Sequence, residues 1–179
     1  MKIIFYFLVC SLLIPIYQII GEGWPRWRGS LGNGTWSGPD LLLEIPTDGL
    51  ELKWKLPIAP GYSGVTVADG MAFLMDKPNA SGKEEQERVL CVDVDTGKLA
   101  WSFTYPVDYK KLEYGKGPRA SITADAGKVF GLGAMGHAFC LEGETGKAIW
   151  FRNLVREENC PPPIWGFSSS PEPLGENVL

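Results

Sequence analysis

The sequence predicts an all-β chain built from repeated four-stranded antiparallel sheets, and three observations carry that expectation. An eleven-residue stretch from Cys91 to Trp101, reading Cys-Val-Asp-Val-Asp-Thr-Gly-Lys-Leu-Ala-Trp, returns 49 residues later from Cys140 to Trp150 as Cys-Leu-Glu-Gly-Glu-Thr-Gly-Lys-Ala-Ile-Trp. Aromatic residues make up 12% of the chain, and 22 glycines with 14 prolines punctuate it, a mixture of strand formers and turn formers. No segment after Trp24 sustains an apolar period of 3.6 residues, so almost no helix is expected.

The first element is set apart from the fold. Lys2 precedes an apolar run from Ile3 to Ile20, and Gly21 and Gly23 offer small residues three and one positions before a cut at Trp24. Residues 1–23 read as a secretory signal peptide, which exports the rest of the chain to the periplasm or the exterior. The alternative is an uncleaved anchor, against which Pro15 and Gln18 count. No stable membrane span is expected once the signal is removed. Residues 24–60 form a lead-in, within which Leu50 to Leu56 reads as a strand able to close a ring of sheets.

Residues 61–106 form the first full repeat. Its strands are expected near Tyr62–Ala68, Met71–Met75, Arg88–Val94 and Leu99–Tyr105, with Asp69-Gly70 as a hairpin turn. The polar run Lys77–Glu87 reads as a surface insertion that lengthens this copy by 8 residues. Residues 107–154 repeat the pattern, with strands near Arg119–Ala124, Lys128–Gly133, His137–Glu142 and Ala148–Asn153. The 49-residue offset also carries Ser121 onto Ser170 and Val129-Phe130 onto Val178-Leu179, so residues 155–179 begin a third copy.

The repeated stretch has a physical reading of its own. Gly97 and Gly146 suit a left-handed turn position with a following bulge, where a side chain would be strained. Asp93 is placed to accept amide protons inside its own turn. Trp101 and Trp150 are expected to cover the gaps between neighbouring sheets, each burying roughly 200 Å². These six residues, Trp54, Asp93, Gly97, Trp101, Gly146 and Trp150, are expected to be structural; no catalytic, cofactor or metal residue is assigned. Cys91 and Cys140 read as small buried strand residues, and with Cys160 they leave an odd count, so no disulfide framework is expected.

Four short strands in each repeat of 40 to 50 residues is the pattern of a propeller blade. The eleven-residue stretch resembles the tryptophan-docking motif of the PQQ-like (pyrroloquinoline-quinone-type) β-propeller family. Trp24-Pro25-Arg26-Trp27-Arg28-Gly29 with Leu52-Lys53-Trp54-Lys55 is similar to the lead-in of its secreted bacterial members. Cys91 and Cys140 stand where the motif usually has alanine, and Glu142 where it has aspartate. The resemblance implies a partial β-propeller, two complete blades plus the start of a third. A ring needs about 4 to 8 blades, so the chain is expected to be an N-terminal piece of a longer protein.

What the resemblance implies about function divides in two. One reading is an exported, non-catalytic binding or scaffold module whose partner is a protein, glycan or small molecule, as in the outer-membrane assembly lipoproteins of the family. The alternative is part of an alcohol or sugar dehydrogenase that uses pyrroloquinoline quinone and calcium, with no cofactor held by these residues themselves. A formal charge of −4 argues against a nucleic-acid partner. Several motifs are discounted. Gly131-x-Gly133-x-x-Gly136 precedes a strand pattern and no helix, so it lacks the helix N-terminus that binds a pyrophosphate. Asp93-x-Asp95 lacks the later ligands of a calcium loop. His137 reads as a surface turn residue, and Ser168-Ser169-Ser170 as the inner strand of the third repeat. Asn33-Gly34-Thr35 and Asn79-Ala80-Ser81 are glycosylation sequons only in a secreting eukaryote.

Overall fold

A computed structural model describes residues 23–36, 38, 44–79, 84–109 and 112–179. The expected signal peptide therefore lies, except for Gly23, outside the described residues. Strands β1 (Thr66–Ala68), β2 (Met71–Asp76), β3 (Glu85–Asp93) and β4 (Leu99–Val107) form one antiparallel sheet in sequential order. Strands β5 (Thr123–Asp125), β6 (Lys128–Leu132), β7 (His137–Glu142) and β8 (Ala148–Asn153) form a second. A single helical turn, α1 (Leu154–Glu157), and a hairpin of β9 (Pro173–Leu174) with β10 (Asn177–Val178) complete the described elements. The chain is all-β: two complete four-stranded propeller blades and the start of a third.

The core lies between the blades. Phe73, Met75, Val89, Cys91 and Tyr105 of the first blade meet Ile122, Val129, Phe139 and Leu141 of the second. On the opposite face of the first blade, Ala72, Leu74, Leu90 and Val92 are buried beneath Trp54 and Leu56. Both faces of β2 and β3 are thus covered, which is why Ala72–Met75 and Val89–Val92 read as unbroken apolar runs and not as alternation.

Neighbouring repeats are tied at their outer and inner edges by contacts that recur with the repeat. At the outer edge the Trp54 indole donates Nε1–H to the Val94 carbonyl at 2.8 Å, and Trp101 does the same to Gly143 at 2.9 Å. Each indole lies on a glycine of the turn it meets. A Cβ built on Gly97 would stand 2.6 Å from Trp54, and one on Gly146 would stand 2.5 Å from Trp101. Both glycines also have left-handed backbone, with φ of 69° and 71°, so conformation and contact each exclude a side chain. At the inner edge the Thr66 hydroxyl donates to the Ile122 carbonyl and the Thr123 hydroxyl to the Pro171 carbonyl, both at 2.6 Å. The Gly64 amide donates to Ser121 Oγ at 3.2 Å and the Ser121 amide to Ser170 Oγ at 3.1 Å.

Three expectations are corrected. The inner strands begin at Thr66 and Thr123, later than Tyr62 and Arg119, because the preceding residues bond across to the next repeat; Tyr62 N–H, for example, donates to the Pro118 carbonyl at 2.9 Å. Leu50–Leu56 forms no strand, and it contributes Trp54 and Leu56 as packing residues. The polar run Lys77–Glu87 is not wholly a surface insertion, since Glu85–Glu87 extend β3 and Glu87 is buried. A register shift follows the Gly97 turn: Gly97 N–H donates to the Asp93 carbonyl at 2.9 Å and Asp93 N–H to the Lys98 carbonyl at 3.0 Å, then Val92 pairs with Leu99 and Cys91 with Trp101, leaving Ala100 unpaired. The second blade repeats this shift between Cys140–Trp150 and Leu141–Ala148.

Replacing Trp101 by alanine is expected to cost about 3 to 5 kcal/mol in urea unfolding, as for truncation of a large packed aromatic. Gly146→Ala should cost about 1 to 3 kcal/mol through the left-handed turn alone. The double variant should fall short of the sum, because the two residues touch. Full additivity would show that the indole does not rest on this turn.

Candidate functional site

The turns that carry the repeated stretch are stitched by their own side chains. Asp93 Oδ1 accepts from the amides of Asp95 at 3.1 Å and Thr96 at 2.8 Å and from the Thr96 hydroxyl at 2.7 Å. These bonds, the Thr96 hydroxyl first, hold its carboxyl below the ordinary aspartate value. Glu142 in the second blade accepts from the Thr145 hydroxyl at 2.7 Å. Trp54 with Gly97 and Trp101 with Gly146 are two blade-docking pairs, and Trp150 stands opposite Cys140 with its ring centroid 6.4 Å from that of Phe130. The first two pairs join neighbouring repeats through the indole bonds of Trp54 and Trp101. Cys91 and Cys140 are buried free thiols, and burial pushes the Cys91 thiol up to about 11.

A different cluster forms where the opposite ends of the blades meet. Glu87 on β3 is completely buried. Its Oε2 accepts from the Tyr105 hydroxyl at 2.5 Å, and its Oε1 accepts from the Tyr109 hydroxyl and the Ala134 amide, each at 3.1 Å. Burial, the largest influence, raises its carboxyl above the ordinary glutamate value against the lowering effect of those bonds. Burial and the adjacent Glu87 also drive the Tyr105 and Tyr109 hydroxyls upward.

The glycine pattern at 131–136 belongs to this packing. A Cβ on Gly131 would strike the Phe139 ring, and one on Gly133 would strike the Glu87 carboxylate and the Tyr105 hydroxyl. The segment is the β6–β7 connection, with Gly133 N–H donating to the His137 carbonyl at 2.8 Å, and it leads into a strand. Glu87 is legible in the sequence in one respect: alternation along Glu87, Val89 and Cys91 puts all three on the core face.

His137 is a correction to the surface-turn reading. It opens β7 half-buried, its ring centroid 5.2 Å from that of Tyr105 and 5.6 Å from that of Phe151. Nε2 lies 3.0 Å from Asn153 Nδ2, while Nδ1 is buried with no hydrogen-bond partner. Burial, and then the nearby Arg156, lower its value and favour the neutral ring. His137, Met135, Phe151, Asn153 and Val155 line a groove of about 840 Å³ shared by the two blades. Its lining also includes Glu84, Glu85, Asp108, Arg156 and Glu157, of which Glu85 is paired with Lys116 at 2.8 Å and Glu157 with Arg152 at 2.5 Å. Among the described residues no group of three or more His, Cys, Asp or Glu side chains gathers to hold a metal. The Asp93 carboxylate is engaged by its own turn.

No protein-family model matches the chain, and no curated protein matches it. Solved structures do. The chain is similar to a europium-containing methanol dehydrogenase, at 13% identity and a TM-score of 0.51, covering 72% of this chain and 22% of that one. It is also similar to quinohemoprotein alcohol dehydrogenase from Comamonas testosteroni, at 20% identity and a TM-score of 0.49 over 68% of this chain and 17% of that one. A third similarity is to BamB from Moraxella catarrhalis, at 18% identity and a TM-score of 0.40 over 68% of this chain and 44% of that one. The first likeness is one of fold and agrees with the blade architecture. The chain spans less than half the length of each of these proteins.

Glu87 and His137 bear on stability in opposite senses. A raised carboxyl holds its proton in the folded state to higher pH than in the unfolded chain, so its contribution is complete at acid pH and is lost as pH rises through the folded value. The lowered imidazole loses stability as pH falls through its unfolded value. Glu87→Gln should therefore flatten the decline of unfolding free energy as pH rises above the ordinary glutamate value, relative to wild type. Parallel curves for the two proteins, measured by urea unfolding across that range, would show that Glu87 does not titrate there.

Proposed function

We propose that the chain is part of an exported β-propeller that works as a binding or scaffold module, engaging its partner at the groove between the two complete blades. The groove is the observation that carries this reading. It is lined by the aromatic and apolar side chains Phe151, His137 and Met135, and the ion pairs Glu85–Lys116 and Glu157–Arg152 stand beside them. Such a surface suits a partner that presents an apolar side chain within a polar surround. The blades supply rigid walls, and the groove lies among connections between strands, where binding residues concentrate. The groove's own side chains supply shape and charge, and none of them is assigned a catalytic step.

Export rests on Lys2, the apolar run to Ile20 and the small residues Gly21 and Gly23. Mass spectrometry of protein recovered from the producing cell should find an N-terminus at or near Trp24. Soluble cytosolic protein that retains residues 1–20 would overturn that part of the proposal.

Partner binding is tested by photo-crosslinking groups placed at Asp108 and Arg156 beside the groove and at Lys98 and Lys147 on the distant turns. The groove positions should capture one common partner, and the turn positions should not. Capture from the turns alone would move the binding surface. A saturable rise in melting temperature on adding pyrroloquinoline quinone with calcium would instead favour the dehydrogenase reading, since a ligand of the folded state must stabilise it.

A further inference from the structure

The lead-in touches three repeats in succession, and it does so at matching places. The Trp24 carbonyl accepts the amide proton of Val67 at 2.9 Å, and the two residues form an antiparallel bridge. The next carbonyl, Pro25, accepts the amide proton of Ala124 at 2.8 Å. Val67 and Ala124 are each the middle residue of a three-residue inner strand. Arg26 then pairs with the Glu172 carboxylate beside β9. The chain advances by one residue for each blade it crosses.

The third contact changes type for a chemical reason. The 49-residue offset carries Ala124 onto Pro173, which has no amide proton to give. A side-chain ion pair stands where the backbone bond would be. The crossing segment suits its role in turn: Pro25 lacks an amide proton of its own, holds φ near −65°, and needs only to accept. The segment is anchored from behind. Gly29, with φ of 81°, lies against the Trp24 ring, where a Cβ would stand 2.9 Å from the indole, and Trp36 stacks on Trp24 at 6.4 Å between centroids.

We propose that residues 24–26 are a strap that holds the inner strands of three consecutive repeats in register and lids a cavity between the first two blades. The cavity, of about 640 Å³, is roofed by Pro25, Arg26 and Ser30 and floored by Met71, Phe73 and Val129. It opens at the end of the blades that carries the β1–β2 and β5–β6 turns, opposite the groove described above. The strap therefore controls access to the turn end, and the loop end is the one left free for a ligand. Its action does not depend on the identity of any partner at the groove.

Hydrogen exchange on the full chain tests it. The Val67 and Ala124 amides should be protected to about the level of Leu74 and Leu90 in the central strands. Arg26→Glu should speed exchange at Val67 and Ala124 by at least about tenfold while leaving Leu74 and Leu90 unchanged. The exchanged pair R26E/E172R should restore protection. If R26E fails to fold, Arg26→Gln gives the same comparison without the charge reversal. Fast exchange at Val67 and Ala124 in the wild type would overturn the strap, as would equal acceleration at all four sites, or failure of the exchanged pair to restore protection.

Discussion

The structure depends first on an indole laid over a glycine. A four-stranded sheet has two faces and cannot bury either alone, so a repeat is stable only against its neighbours. Trp54 and Trp101 make that contact at the outer edge, where sheets splay most and a small side chain would leave a void. The contact demands a turn without a Cβ at Gly97 and Gly146, and that turn demands a staple, which Asp93 supplies with three accepted bonds. Once the outer edges are set, the hydroxyls of Thr66 and Thr123 reach the next inner strand, and the apolar faces between them close into one core. Local turn chemistry thus fixes the angle at which distant side chains meet.

That dependence explains which features can be read from the sequence. The strands from Met71 onward, the left-handed glycines and the buried cysteines are legible because each is set by residues within one turn or one strand. The late starts of β1 and β5 are not, because Tyr62 and Gly64 are satisfied by Pro118 and Ser121 in another repeat. Glu87 is hidden for a related reason. It stands at the end of a polar run, and only the side chains of Tyr105 and Tyr109 and the Ala134 amide make its burial tolerable. Its alternation with Val89 and Cys91 is a usable signal that the charge of its neighbours outweighs. His137 gives no such signal, since its half-buried place comes from rings in two other strands, Tyr105 of β4 and Phe151 of β8.

The two ends of the blades differ in kind. At the turn end the connections are short and repeat closely, Asp69-Gly70 against Ala126-Gly127 and the two Thr-Gly-Lys turns, and their polar groups are taken up by docking indoles or by the lead-in. At the loop end the connections differ in length between blades, since β2 to β3 spans residues 77–84 whereas β6 to β7 spans only 133–136. Close repetition serves packing, which must be satisfied in the same way at every interface. Departure from it is tolerated only where packing does not set the geometry.

Glu87 sits at that departure, and its energetics indicate what it is for. Burying a carboxyl costs several kcal/mol, and three hydrogen bonds at about 1 to 3 kcal/mol each only roughly offset it. An apolar residue in the same place would serve stability as well. What an apolar residue could not do is hold the Ala134 amide, and with it the 133–136 connection, against the first blade. That connection carries Met135 and leads directly into His137, and both line the groove on the side of the second blade. Gly133 is glycine because the Glu87 carboxylate and the Tyr105 hydroxyl occupy the space of its side chain. A buried charge-bearing group that contributes little net stability, yet sets the position of one wall of a groove against the blade that forms the other, is a device for shape; it makes the groove a rigid feature of the blade interface.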